Sequence, residues 1–245
     1  NRWPGSPRIN ADNDHQAIHA WLASKSGNQN TQRAYRKEAE RMLLWAVIER
    51  EKALSDLTVD DCARYRDWLS LLGRTDSGDW NFRLAQSAWI APRNTQRFSP
   101  DWRPFDGALS ASSVKHSITI VSGLFEWLVR VQYCAFNPWD GVGKSLSKSN
   151  DEPEDVELTR VFSSGQWEFL MSHLGSREPT DHTSRLQFAL PFAHATGLRL
   201  SELVDATLGR LYTMPVRDGT GVRWMLKVLG KGAKWRAVPI PERIL

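Results

Sequence analysis

The sequence has little cysteine, no long apolar run and only a small excess of positive charge. Cys62 and Cys134 are its two cysteines and form neither a CxxC pair nor a disulfide framework, so we expect two buried thiols in a reducing environment. No apolar stretch approaches the roughly 20 residues of a membrane-spanning helix. The first residues lack the charged-then-apolar pattern of a secretory signal. These absences favour a cytoplasmic globular protein with no membrane partner.

Two motifs that look like ligand sites lack residues that such sites need. His15 and His19 stand four apart in a predicted helix, but neither a third ligand nor the glutamate of a metalloprotease helix accompanies them. Residues 141–145, Gly-Val-Gly-Lys-Ser, look like a phosphate-binding loop, but Pro138 stands where the earlier glycine is required. We therefore expect no metal, no nucleotide and no other cofactor.

The length and the residue pattern predict two domains. Residues 1–145 are predicted to form a helical domain, interrupted at about 74–109 by an excursion that contains prolines, glycines and tryptophans. Residues 146–158 contain a run of five acidic residues and are predicted to be a linker. Residues 159–245 are predicted to be the N-terminal part of a mixed α/β domain. The predicted fold class is therefore mainly α, with a β-hairpin near the end.

Apolar residues at helical spacing predict the helices, and alternation predicts the strands. The predicted helices are 14–24, 31–50, 58–73, 110–133, 163–174, 183–197 and 199–208, with a short one near 82–90 in the excursion. The helix at 199–208 is expected to bury Leu203, Val204 and Leu208. Residues 224–229 and 235–240 are predicted to form a hairpin whose turn is Gly-Lys-Gly-Ala-Lys.

Two polar groups could carry chemistry. Arg199 and Glu202 are three residues apart, so they share a helix face, and a carboxylate-held arginine is a rigid fork suited to phosphate. A surface ion pair explains the same spacing. Lys231 lies between two glycines at the hairpin tip, where it can contact a phosphate or donate a proton. A lysine at a hairpin tip can also be an ordinary solvated surface residue without a function.

The order and separation of these two segments resemble those of the tyrosine recombinase (phage integrase) family. Ala-Thr-Gly-Leu-Arg-Leu-Ser-Glu-Leu at 195–203 resembles the segment with the family's first catalytic arginine. Residues 228–241 resemble the hairpin with its catalytic lysine. Residues 30–46, 57–69 and 110–129, the last followed by Asn-Pro-Trp at 137–139, are similar to helices of the family's SAM-like core-binding domain. The resemblance covers the chain from about residue 14, except the excursion.

The resemblance implies a role for each matching residue. Arg199 would bind the scissile phosphate and stabilise its transition state, and Glu202 would support it. Lys231 would be the general acid that protonates the leaving 5′-oxygen. Lys234 and Arg236 would contact backbone phosphates. The partner would be double-stranded DNA held between two domains, on which the full-length protein would form a homo-tetramer at the nucleoid, without metal or nucleotide.

The family's later motifs, His-x-x-Arg and a nucleophilic tyrosine, do not follow Lys231 before Leu245, so we expect these residues to bind DNA without cleaving it. All four tyrosines, Tyr35, Tyr65, Tyr133 and Tyr212, precede the lysine. Four cationic residues at or near helix starts are candidate DNA contacts in the first domain: Arg33, Arg36, Lys37 and Lys115. For each of them, a solvated surface charge is an equally good explanation. The alternatives are a catalytically dead DNA-binding regulator and a protein-interaction module that uses its 12 tryptophans as anchors.

Overall fold

The structure is a computed structural model that describes residues 2–25, 27, 29–92, 94–97, 99–143, 161–216, 221–230 and 232–244. The chain divides into two compact units, Asn1–Asp151 and Glu152–Leu245. The predicted linker at 146–158 lies outside the described residues, and the predicted domain bounds stay predictions. None of the described helices is both long and apolar enough to cross a membrane.

Four α-helices form the described part of the first unit. They are α1 (Asp14–Ser24), α2 (Gln29–Arg50), α3 (Val59–Leu71) and α4 (Ala111–Arg130). Short polar side chains begin three of them, because an oxygen before the first turn satisfies a free backbone N–H. Asn13 accepts from Gln16, Ser110 accepts from Ser113, and Thr58 forms a capping box with Asp61. The predicted helices are present, with ends shifted by a few residues.

The core of the first unit is unusually aromatic. Trp21, Trp45, Trp68 and Trp89 are almost completely buried. The Trp68 ring on α3 lies 4.9 Å from Trp89 and 5.4 Å from Phe105, both of which belong to the excursion. The excursion therefore supplies part of the core instead of forming a separate surface loop.

The short helix predicted at 82–90 is wrong; the structure has only a 3-10 turn, Gln86–Ala88. Glu49 on α2 accepts hydrogen bonds from the backbone N–H groups of Arg83 (2.8 Å) and Leu84 (3.2 Å). These donors thus bond to a neighbouring helix and not along their own segment, which holds the backbone in an irregular path.

The two ends of the excursion meet beside α3 and α4. Arg74 donates to the carbonyl of Leu109 at 2.8 Å. Gly73, just after α3, has a φ of +77°, and a Cβ there would lie 2.9 Å from the backbone nitrogen of Ala108. Glycine is needed here both for the left-handed backbone and for the close approach.

A buried polar group joins α2, α4 and the excursion. Glu38 accepts from Arg41 at 2.9 Å and from Ser117 at 2.5 Å. Arg41 donates to the carbonyl of Pro104 at 2.9 Å and lies 4.0 Å over the Phe105 ring. Each buried charge thus has partners, which it needs because an unpaired buried charge is strongly destabilising.

In the second unit, the described residues contain three helices and one sheet. The helices are α5 (Ser164–Gly175), α6 (Asp181–Thr196) and α7 (Leu200–Val204), and the strands are β1 (Leu211–Pro215), β2 (Val222–Gly230) and β3 (Lys234–Ile240). The sheet is antiparallel in the order β1-β2-β3. The mainly α fold class and the hairpin are confirmed, while strand β1 was not predicted.

One face of the sheet, the inner face, packs with the helices. Leu226, Val228, Val238 and Ile240 point to this face and are buried with Phe192 of α6. The helix predicted at 199–208 is shorter, because the chain turns after α7 through a 3-10 turn into β1. Val204 and Leu208 were expected to be buried, but they are 74 % and 85 % exposed, whereas Leu203 packs against this core as expected.

Asp61 generates a prediction about acid stability. Its carboxylate is 1 % exposed and accepts from Arg50 at 2.6 Å and from Lys52 at 2.7 Å. Burial alone would raise the pKa, but the hydrogen bonds outweigh burial and lower the pKa of Asp61 to about 2. A depressed folded-state pKa contributes stability above the unfolded pKa, and this contribution disappears as the pH falls through the folded value.

We expect the wild type to exceed the Asp61→Asn variant in unfolding free energy at pH 5–8. About 2 kcal/mol of this difference should disappear between pH 4 and pH 2. Urea denaturation followed by tryptophan fluorescence measures it. Asp60→Asn, at an exposed carboxylate of the same helical turn, is the control. A difference that does not change with pH would contradict the role of the Asp61 charge.

Candidate functional site

The predicted site is built around one buried carboxylate. Glu202 lies on α7 with a side chain that is 3 % exposed. Gly197 ends α6 in the left-handed conformation, with a φ of +60°, and so directs the chain into α7. Arg199 immediately precedes α7, and its backbone N–H donates to Glu202 Oε2 at 2.8 Å. This backbone bond fixes the carboxylate against the start of its own helix.

Two guanidinium groups share the Glu202 carboxylate. Arg199 Nη1 donates to Oε1 at 3.0 Å. Arg236 on β3 donates through Nη1 to Oε1 at 2.7 Å and through Nη2 to Oε2 at 2.8 Å, which is a bidentate pair. The three side chains carry a net positive charge. The Arg199 side chain is 63 % exposed, so most of its donors remain open to an anion.

Gly230 on β2 makes room for the bidentate pair. A Cβ at this position would lie 2.7 Å from Arg236 Nη1 and 3.5 Å from the Glu202 carboxylate. The strand therefore needs a residue without a side chain where the Arg236 guanidinium crosses it.

Hydrogen bonding sets the protonation states of the cluster. The bidentate bond from Arg236 is the largest cause, followed by the Arg199 backbone bond, and together they lower the pKa of Glu202 to about 2. The same bond to Glu202 raises the pKa of Arg236 above its usual value. The carboxylate therefore stays ionised, and Arg199 keeps a charged partner.

Arg236 binds a carboxylate in the structure, and its predicted contact with a DNA backbone phosphate stays a prediction. Its guanidinium on β3 is bound to Glu202, so this carboxylate links Arg236 to Arg199 at the start of α7. The sequence held a signal for this position, since Arg236, Val238 and Ile240 alternate along β3 and therefore share the inner face.

The other predicted residues of the second unit lie on the hairpin. Lys234 is exposed at the start of β3. Gly232 and Ala233 in the turn have left-handed φ values of +76° and +56°. Lys231 lies outside the described residues, so its predicted catalytic role stays a prediction.

The predicted cations of the first unit are all exposed on helices, near their starts. On α2, Arg33 and Arg36 line a concavity of about 530 Å3 together with His15, His19 and Arg97. Lys37 lies on the same helix, 3.5 Å from a carboxylate oxygen of Glu38. Lys115 lies near the start of α4 and borders a different concavity. The sequence did not indicate that the histidines and Arg97 lie beside the two arginines.

Two of the four tyrosines, Tyr65 and Tyr133, are buried. Tyr65 is fully buried, and burial raises its pKa. Tyr133 is 1 % exposed and bonds to Arg2 and Asp14, and burial raises its pKa as well. Tyr35 stacks on Trp21, with ring centroids 5.1 Å apart. Tyr212 points to the outer face of the sheet, opposite Arg236.

Among the described residues, no three His, Cys, Asp or Glu side chains form a metal-binding group.

Replacing Glu202 tests whether it organises the site. In Glu202→Gln, the Arg199 N–H and the bidentate pair lose a charged acceptor. We expect hydrogen–deuterium exchange of peptides covering 198–204 and 234–240 to accelerate about tenfold or more, with α5 unchanged. Glu178→Gln, at an exposed position, is the control. Unchanged exchange in both segments would show that the carboxylate does not hold them.

No known family model matches the chain. It is 32 % identical over 146 residues to a protein named tyrosine recombinase XerD from Rickettsia conorii, covering 58 % of this chain and 44 % of that protein. The chain spans about half the length of the curated relatives that it matches.

Two solved structures share its fold. One is the site-specific recombinase XerH bound to a palindromic difH substrate, with a TM-score of 0.53, 14 % identity, and coverage of 96 % of this chain and 55 % of that one. The other is a lambda integrase tetramer bound to a Holliday junction, with a TM-score of 0.52, 16 % identity, and coverage of 95 % and 53 %. The sequence likeness supports a member of the tyrosine recombinase family, and the fold is the one that these two solved structures share.

Proposed function

We propose that the protein binds double-stranded DNA and takes part in site-specific recombination by phosphotyrosyl strand exchange. The observation that carries the proposal is the buried Glu202 carboxylate that holds the exposed Arg199 side chain and the Arg236 guanidinium. Preorganised donors of this kind stabilise charge that develops on a phosphate. The DNA complexes named for the two structural neighbours support the same partner.

The proposed chemistry is a transfer of phosphate between oxygen atoms. A tyrosine hydroxyl attacks phosphorus, the bond to the 5′-oxygen breaks, and a 3′-phosphotyrosyl ester forms. Arg199 binds the non-bridging oxygens, and Lys231 donates a proton to the departing 5′-oxygen. Since the ester conserves the bond energy, a 5′-hydroxyl of another strand can displace the tyrosine. These steps need neither metal nor nucleotide.

Each predicted residue has a part in this proposal. Glu202 and Arg236 position Arg199, and Lys234 binds a neighbouring backbone phosphate. In the first unit, cations on two helices bind the duplex backbone: Arg33, Arg36, Lys37 and Lys115. None of the 245 residues matches the family's nucleophile, so strand exchange is proposed for the whole protein, which would act as a homo-tetramer at the nucleoid in the cytoplasm.

DNA binding should depend on salt. Neutralising phosphates releases condensed counterions, so the logarithm of the association constant should fall linearly with the logarithm of the salt concentration. Arg33→Ala and Arg36→Ala should each reduce the slope by about 0.9, whatever the duplex sequence. Fluorescence anisotropy with a labelled duplex measures this. Arg130→Ala, at an exposed position paired with Glu126, should leave the slope unchanged. Salt-insensitive binding would contradict the proposal.

The same 245 residues should form no covalent complex with DNA. A nicked duplex that traps phosphotyrosyl ester should give no protein–DNA adduct in a denaturing gel, although the native complex forms. Tyr65 and Tyr133 are buried, and Tyr212 points away from the face that holds Arg236. An adduct abolished by changing one of the four tyrosines would overturn this expectation and identify a nucleophile that the family motifs miss.

A further inference from the structure

The outer face of the three-stranded sheet carries an aromatic residue with two cations over it. Trp235 on β3 is 51 % exposed. Lys227 Nζ on β2 lies 5.0 Å from the centroid of its ring, and the guanidinium carbon of Arg210, just before β1, lies 5.3 Å away. Both distances are those of cation–π contacts. The Trp235 indole therefore contacts two positively charged side chains from neighbouring elements.

The register explains why these side chains meet. Lys227 pairs with Ala237 and Leu229 pairs with Trp235, so Trp235 lies diagonally from Lys227 on the same face. Tyr212 is on that face as well and is 38 % exposed. Tyr212, Lys227 and Trp235 line a concavity of about 450 Å3, together with Arg236 and Ala237.

The charges on this face lack acidic partners. No strand residue on the outer face is acidic; the face consists of Tyr212, Met214, Arg223, Met225, Lys227, Leu229, Trp235, Ala237 and Pro239. Among the described residues, neither Arg210 nor Lys227 forms a salt bridge; Arg210 donates only to the backbone carbonyl of Asp205, at 3.2 Å. Two like charges brought together without a carboxylate favour an anionic ligand.

We propose that this face, the Trp235 platform, binds single-stranded DNA, with a base stacked on the indole and the backbone phosphates held by Lys227 and Arg210. A duplex backbone would need the cations but not the exposed rings, whereas unpaired bases use both aromatic stacking and positive charge. The inference rests on the proposed function, because exchange of strands requires bases that have left one duplex before they pair in another.

The test is fluorescence anisotropy of the 245-residue chain with a labelled oligothymidylate about 12 nucleotides long, a length within the usual site sizes. The same measurement uses a duplex of equal length. Trp235→Ala should weaken single-strand binding about tenfold and leave duplex binding nearly unchanged. Trp235→Phe, which keeps an aromatic ring, should restore most of the affinity. Lys227→Gln should reduce the single-strand salt slope by about 0.7.

Trp224→Ala is the matched control, since Trp224 lies on β2 with 37 % exposure but on the opposite face of the sheet. It should leave both affinities unchanged, and circular dichroism checks that each variant folds. Equal loss of duplex and single-strand binding in Trp235→Ala, or no loss, overturns the platform. A change only in self-association would assign the face to a protein contact and also overturns it. Absence of binding to any DNA by the wild type would instead refute the proposed function.

Discussion

The Glu202 carboxylate is the contact on which the functional arrangement of the second unit depends. It joins the start of α7 to strand β3, two segments that are separated by more than 30 residues in the chain. A carboxylate removed from water needs charged donors, and the two guanidinium groups satisfy it while they gain a fixed orientation. The exposed donors of Arg199 are therefore positioned by an interaction that is itself sheltered from solvent.

The first unit also contains a buried carboxylate that is bound to an arginine. Glu38 and Arg41 are buried and bond to each other, and each has a further partner, Ser117 for Glu38 and a carbonyl of the excursion for Arg41. Such a polar group favours one arrangement of α2, α4 and the excursion, because any other arrangement would leave a charge without a partner.

Local patterns were sufficient to predict that each described α-helix exists, although not all of their ends, and to predict the hairpin and the Arg199–Glu202 pair, because spacing within one element determines which side chains share a face. Local spacing could not predict contacts between segments that are far apart in the chain. The Arg236 bond to Glu202 required knowledge of which strand lies beside α7, and strand β1 gave too short a pattern to be recognised. The exposure of Val204 and Leu208 was missed because helical periodicity was extended beyond the point where the chain turns toward the sheet.

The junction at Gly73 and Leu109 has a consequence for how chain length can vary in this protein. The two ends of the excursion are in contact. The relative position of α3 and α4 therefore does not depend on how many residues the excursion contains. The entropy of closing a loop rises only slowly with the number of residues in it. Residues can therefore be gained or lost at exposed positions such as 94 and 96 at low energetic cost, whereas the parts near Trp89 and Phe105 cannot be removed without opening a void against Trp68.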